Sequence, residues 1–367
     1  MKIRAAVLSE LGAKPPFAQS KPLRIETLDL RDPGPGEVLL KIVAAGLCHS
    51  DLSVINGTRA RPTPMALGHE ASGVVQALGE GVTDLAVGDL VSLVFVPSCG
   101  HCLPCNEGTP ALCEPGAAAN TQGTLLSGAR RLYGFGGQAI HHHLGVSAFA
   151  DHAVVSRRSC VKIEADIDPV EAALFGCAVI TGVGAVVNTA KVHAGSTVAV
   201  VGLGGVGALA AGARQVIAVD LNDGKLAHAK TLGATAVFQA KDATLIEQVK
   251  ALTRGGVDFA FEFAGSVHAM ESAYRMTRRG GTTVTASLPA PDDRWALQHV
   301  NLVAEERTVK GSYLGSCVPA RDIPRYIDLY LAGKLPVNKL MGRRLALDDI
   351  NEGFDALHDG LSMRDLV

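Results

Sequence analysis

The sequence predicts a two-domain α/β protein, a β-rich domain joined to a doubly wound parallel-sheet domain, and three observations carry that prediction. The chain has 367 residues, 47% of them hydrophobic, enough for two cores of ordinary domain size. The first 175 or so residues are rich in Gly, Pro and short Val-rich runs such as "ASGVVQALG" (71–79) and "VGDLVSLVFV" (87–96). Runs broken by turn residues read as short strands. From about residue 195 the texture changes to short apolar strands alternating with helical stretches, the pattern of a doubly wound sheet.

The elements follow in order. "MKIRAAVLSELG" (1–12) reads as a first strand, without the long apolar core of a signal peptide. "EVLLKIVAA" (37–45) is an apolar strand that runs into "GLCHSDLS" (46–53), where Cys48, His49, Ser50, Asp51 and Ser53 crowd together. "STVAVVG", "QVIAVD", "VDFAFEFAG" and "GTTVTASL" are strands of the kind buried on both faces of a parallel sheet. "DGKLAHAKTLGA" (223–234) and "SVHAMESAYRMTRRGG" (266–281) are the helices between them. In the tail, Ile350, Phe354 and Leu357 of "DDINEGFDALHDG" mark one helical face.

A formal net charge of −2 argues against nucleic acid as a main partner, which calls for a basic face. No stretch reaches the roughly 20 apolar residues of a membrane span. The expectation is therefore a soluble, cytoplasmic protein.

Three groups of residues point to chemistry. "VVGLGGVG" (200–207) sets Gly202, Gly204 and Gly207 at G-x-G-x-x-G spacing directly after a strand, with Gly205 and Val206 between. Such glycines let backbone N–H groups approach a pyrophosphate. The next strand ends in Asp220, an acid suited to a ribose hydroxyl pair and repulsive to a 2′-phosphate, so NAD is favoured over NADP. Four of the eight cysteines, Cys99, Cys102, Cys105 and Cys113, lie within one run. Closely spaced cysteines in a chain without a secretion signal read as metal ligands. Four thiolates close a tetrahedral zinc, and an iron–sulfur cluster is the rival. Cys48, His69 and Cys177 form a third, weaker group, because single buried cysteines and histidines are commonly core residues.

Together "GLCHSDL", "GHEASGVV", "CGHCLPC", "GCAVITG" and "GLGGVG" resemble the zinc-dependent alcohol dehydrogenases of the medium-chain dehydrogenase/reductase superfamily, over essentially the whole chain. "GGQAIHHHLGVSAFADHAVV" (136–155) looks like the segment that precedes the second metal cysteine in that family. The resemblance implies a discontinuous GroES-like catalytic domain, 1–178 with 316–367, and an inserted Rossmann domain, 179–315. It implies two Zn2+ per chain: one on Cys48, His69 and Cys177 with a position open to water or alcohol, the other on the four-cysteine run. Zinc as a Lewis acid eases loss of the hydroxyl proton, and hydride passes to C4 of the nicotinamide.

By the same resemblance Ser50 accepts the departing proton, Asp51 orients His69, and Glu70 lies behind the metal. Thr181 and Val206 flank the nicotinamide, Lys225 lies near the adenosine ribose, and His49 and Arg364 lie near the pyrophosphate. Phe95, with Ser50, lines the substrate pocket. The implied partner is a small alcohol or aldehyde, and the expected assembly is a homodimer or homotetramer.

There are departures from the family pattern. Ser53 stands where many relatives carry a proton-relay histidine. Arg59 and His143 stand where apolar residues line the channel, so they either make a polar mouth or turn to solvent. Oxidation of the glutathione adduct of formaldehyde, with Arg59 on a carboxylate, is a competing reading. A non-catalytic dinucleotide sensor is another, against which the intact Cys48/His69/Cys177 set argues. Finally, Asp220 lies only 18 positions after Gly202, about six short of the family's usual spacing, or about 9 Å of helix. A segment omitted between Val206 and Arg214, or a true deletion with a short helix, would account for it.

Overall fold

The structure is a computed structural model and describes residues 1–203 and 213–367. It divides into two compact units, Met1–Ala178 with Val318–Val367, and Val179–Cys317. Gly204, Gly205, Val206, Gly207 and most of the short Gly202–Asp220 spacing lie outside the described residues.

The first unit holds ten strands among the described residues. In chain order they are β1 (Lys2–Leu8), β2 (Leu23–Leu30), β3 (Glu37–Gly46), β4 (Met65–Ala66) and β5 (Glu70–Leu78). They continue as β6 (Leu90–Leu93), β7 (Leu132–Tyr133), β8 (Ala139–His142), β9 (His152–Ser156) and β10 (Cys160–Lys162). A closed barrel runs β1-β2-β7-β8-β4, and a second sheet runs β10-β6-β5-β3-β9. Closure removes free edges. Leu40, Leu67, Val75, Val91 and Phe149 pack with Ile350, Phe354 and Leu357 of the tail helix Ile350–His358 in one core. The apolar face expected of that helix is therefore the buried one. Phe149 and Phe354 meet edge to face at 6.0 Å, an arrangement worth about 0.5–1.5 kcal/mol beyond area burial.

The second unit is one parallel sheet of β11 (Thr197–Val201), β12 (Gln215–Asp220), β13 (Ala236–Gln239), β14 (Val257–Glu262), β15 (Thr277–Thr285) and β16 (Thr308–Gly311). Its order, β13-β12-β11-β14-β15-β16, reverses direction between β11 and β14, the switch point where dinucleotides dock. β11 is buried at every position, as a central strand covered on both faces must be. The expectation of an α/β protein with a doubly wound sheet is borne out.

One helix is shorter than its sequence suggests. Val267–Met276 is helical, but Thr277–Gly281, read as its last turn, opens β15 instead. Thr277 is fully buried, and its hydroxyl is 2.8 Å from that of Thr283 and donates to Ala273 O at 2.9 Å. Tertiary pairing of a β-branched residue overrides the local helical pattern. No single helix among the described residues is long and apolar enough to cross a membrane.

Candidate functional site

Four remote segments meet at the first candidate centre. β3 pairs antiparallel with β5 so that Gly46 faces Glu70, which brings the chain after one strand to the start of the other. Cys48 then caps the helix His49–Ile55 in an extended conformation, and its side chain makes no cap hydrogen bond. The thiol is left free for other work. His69 reaches the same place from the turn before β5. There Gly68 has φ +96°, and a Cβ would stand 2.4 Å from Phe149 N, so only glycine fits. Cys177 arrives after the 3-10 turn Ala173–Gly176.

The donor atoms of Cys48, His69, Glu70 and Cys177 all lie within 4.8 Å of one another, and all four residues are buried. Cys177 Sγ is 3.5 Å from His69 Nε2. Two ligands of one tetrahedral zinc, at about 2.3 and 2.0 Å, would be about 3.5 Å apart. All eight cysteines are free thiols.

The electrostatics also suit a cation. Cys48 is held well below the usual thiol range, first by Cys177 and against burial, with Arg364 and His69 adding. Cys177 is pushed far up by Cys48 and burial. Two crowded buried thiols thus share a single ionisation, and a divalent ion would permit both. Burial would lower His69, but Asp51 and Cys48 raise it well above its usual value.

Asp51, fully buried, faces His69 Nδ1 at 3.0 Å and accepts the Gly68 N–H at 3.1 Å. Burial works against its charge, yet His69 and His143 bring it down to about 2. With a metal bound on the thiol side, such a carboxylate would hold the proton at Nδ1 and leave Nε2 for the ion. Glu70 is raised to about 7 by burial, against Arg364. Arg364, 5% exposed, lies 3.4 Å from Glu70 Oε2 and donates to Leu47 O at 3.1 Å. This Glu70–Arg364 pair was not foreseen from the sequence. It depends on a tail that crosses to β3, where Leu366 bridges Gly46.

The pocket residues divide. Phe95 is buried and meets the His69 ring edge-on at 5.4 Å. His143 is only 1% exposed, with Nδ1 3.0 Å from Asp51 Oδ1, which corrects the solvent-turned reading of this side chain. Arg59 is half-buried and donates its N–H to Ser53 O at 2.8 Å. Ser50 is half-buried and His49 exposed. Ser53 Oγ donates to His49 O at 2.8 Å, so its hydroxyl proton is committed to the helix.

The second candidate centre is local. Cys99, Cys102, Cys105 and Cys113 place their sulfurs within 4.8 Å of one another, with Cys102 and Cys113 at 3.9 Å. Two thiolates on one zinc would be about 3.8 Å apart. Backbone N–H groups point at the sulfurs: Cys102 N at Cys99 Sγ, 3.3 Å, and Cys99 N at Cys113 Sγ, 3.1 Å. Against burial, the N–H groups of His101 and Cys102 pull Cys99 down to about 6. Burial pushes Cys105 up to about 12. Four thiols this close resist ionising together, and they fit a metal that would compensate them.

In the second unit, Gly202 has φ +90°, and a Cβ there would meet Ala264 N at 2.7 Å. Asp220 ends β12; its oxygens accept the N–H groups of Leu203 at 2.7 Å and Asn222 at 2.9 Å. Lys225 lies in the first turns of the helix Asp223–Thr231, and half-buried Thr181 lies in the helix Ala178–Gly184. A further acid escaped the sequence reading. Glu262, 2% exposed, ends β14 beside Val201. It accepts from Gly265 N at 2.5 Å, Thr285 Oγ1 at 2.8 Å and Ser287 Oγ at 2.6 Å. It braces the turns that follow β14 and β15. Its signal would have been a lone acid at the end of an apolar strand.

Comparison with known proteins agrees with this geometry. Residues 34–165 match the alcohol dehydrogenase GroES-like domain family, and residues 200–332 match the zinc-binding dehydrogenase family. An alcohol dehydrogenase zinc-binding domain protein from Burkholderia ambifaria is 32% identical with a TM-score of 0.92, over 100% of this chain and 98% of the other. Benzyl alcohol dehydrogenase from Acinetobacter calcoaceticus is 33% identical with a TM-score of 0.92, over 100% and 99%. A protein described as a zinc-binding dehydrogenase from Sinorhizobium meliloti 1021, bound to NADP, is 25% identical with a TM-score of 0.79, over 100% and 99%. The chain is an oxidoreductase that belongs to the zinc-dependent alcohol dehydrogenase family of the medium-chain dehydrogenase/reductase superfamily.

Proposed function

We propose that the protein oxidises a primary alcohol to its aldehyde, and reduces the aldehyde in reverse, with NAD as the hydride carrier. The observation that carries the reading is the buried Cys48–His69–Cys177 cluster with Asp51 behind the imidazole. Zinc bound there would supply Lewis acidity that lowers the pKa of an alcohol hydroxyl. A second zinc on Cys99, Cys102, Cys105 and Cys113 would be structural, because four thiolates leave no position for substrate.

The chain's own residues do the rest. Asp51 holds His69 in the tautomer that presents Nε2. Ser50, the second residue of the helix that starts after Cys48, takes the hydroxyl proton, and Phe95 excludes water beside the His69 ring. With Ser53 Oγ bound to His49 O, the proton leaves through water rather than through a side chain at that position. Asp220 favours NAD, since a second negative charge at its carboxylate is repelled. Likeness to a benzyl alcohol dehydrogenase puts aromatic primary alcohols first among candidate substrates.

Alcohol-dependent NADH absorbance across primary, aromatic and polar alcohols tests the reading. Turnover should stop on chelation and return with zinc. Asp220→Ser should narrow the preference for NAD over NADP. Absence of chelator-sensitive NADH formation with every alcohol, or equal use of NADP by the parent, would sink it.

A further inference from the structure

His143 turns its Nδ1 toward Asp51. Its Nδ1 and the Nδ1 of His69 face the two oxygens of one buried carboxylate, Asp51 Oδ1 and Oδ2, each at 3.0 Å. The two imidazole rings meet edge-on at 5.5 Å. All three side chains are at most 2% exposed. An ionised carboxylate only accepts hydrogen bonds. Each Nδ1 is thus at ion-pair distance from one Asp51 oxygen, and with a cation on the thiol side Nδ1 of His69 would carry the proton and leave Nε2 to the metal.

The backbone that delivers His143 is built for the purpose. The segment after β8 folds back on the one carrying His69: His143 N meets Ala66 O at 3.2 Å, Ala148 N meets Gly68 O at 3.0 Å, and Phe149 N meets Leu67 O at 3.0 Å. Ser147 Oγ both accepts from His143 N and donates to Ala66 O. Within this strap Leu144 and Ser147 hold φ of +51° and +53°, a conformation non-glycine residues avoid and which surrounding structure must enforce.

We propose that His143 is a positioning residue for the metal ligand His69, acting through Asp51. Together with the Gly68 N–H on the same Oδ1, it holds the far oxygen of the carboxylate and so keeps the near oxygen on the His69 ring. The proposal rests on the reading of Cys48, His69 and Cys177 as a zinc site. Groups that orient a ligating histidine typically hold 10–100-fold in metal affinity, and a group one step further out should hold roughly the lower end of that range.

The test is zinc release from the purified full chain to a coloured chelator, with two zinc ions per chain established beforehand. His143→Phe should lose the zinc whose departure stops turnover about tenfold sooner than the parent. His143→Asn, whose amide nitrogen takes the place of Nδ1, should stay within about twofold. In an Asp51→Asn background, His143→Phe should add little. Parent-like release from His143→Phe, or equal acceleration by Phe and Asn, would overturn the proposal, as would additive effects in the double variant. Should His143→Phe fail to fold, the Asn variant alone still decides, because rapid release from it contradicts the proposal. A parent holding only one zinc would instead defeat the underlying assignment of the site.

Discussion

The two cysteine clusters use similar donors and are assembled in opposite ways. Cys99, Cys102, Cys105 and Cys113 come from one 15-residue run and sit at the partly exposed surface, Cys113 excepted. Their neighbours are backbone N–H groups of the same run. Cys48, His69 and Cys177 come from segments up to 129 residues apart (177 − 48) and are buried. Around them stand four ionisable side chains, Asp51, Glu70, His143 and Arg364. A local cluster needs only its metal to be satisfied. A cluster drawn from the whole domain needs charged partners as well, and those same partners are what tune reactivity.

The largest expected effect breaks the comparison at its buried member. Cys177→Ser should lower turnover by about 10³-fold or more, since Lewis-acid assistance is worth several kcal/mol. The protein should remain folded, because β5, β6 and the barrel core do not depend on that thiol, and zinc content should fall from two to near one. Two zincs retained in this variant would refute the assignment.

Cys102→Ser attacks the local member and should do the converse. Metal binding and folding are coupled where ligands come from a short loop, so residues 99–113 should become open to protease and the thermal midpoint should fall. Turnover of the surviving folded fraction should change far less than in Cys177→Ser. Equal loss of turnover at unchanged stability would mean that the two clusters are not functionally distinct.

What could be read in advance follows the same division. The four-cysteine run was legible because its geometry is set by near neighbours. The parallel sheet was legible because strands buried on both faces are continuous apolar runs, as in "TVAVV". The shared centre was not readable from spacing, since nothing in "GLCHSD" or "GCAVITG" encodes that β3 and β5 bring their ends together; there the resemblance supplied the ligands. It could not supply the Glu70–Arg364 pair or the inward turn of His143, because both depend on chain segments that cross the domain. Thr277 misled for a related reason: its strand partner lies outside any local window.

His142 sharpens the comparison by isolating a buried imidazole that faces neither cluster. It is 1% exposed and its Nε2 accepts the Arg131 N–H at 3.0 Å. Burial pushes it down to about 4; Glu37 opposes, and His141, Arg130 and Arg131 add to the fall. The unfolded chain titrates near 6.5, so below that pH the unfolded state binds a proton that the native state refuses. Stability from this group is complete above about pH 6.5 and is lost as pH falls toward 4. The loss amounts to about 2 kcal/mol by pH 5 and about 3 kcal/mol by pH 4. Thiolate clusters also release metal in acid, so the parent's total acid sensitivity mixes both effects. His142→Gln separates them, because the amide oxygen can still accept from Arg131 N while the side chain no longer titrates. Denaturant unfolding at pH 7 and pH 5 should show the variant losing about 2 kcal/mol less than the parent, with zinc content matched at each pH. An identical loss in both proteins would assign the acid sensitivity to the clusters instead.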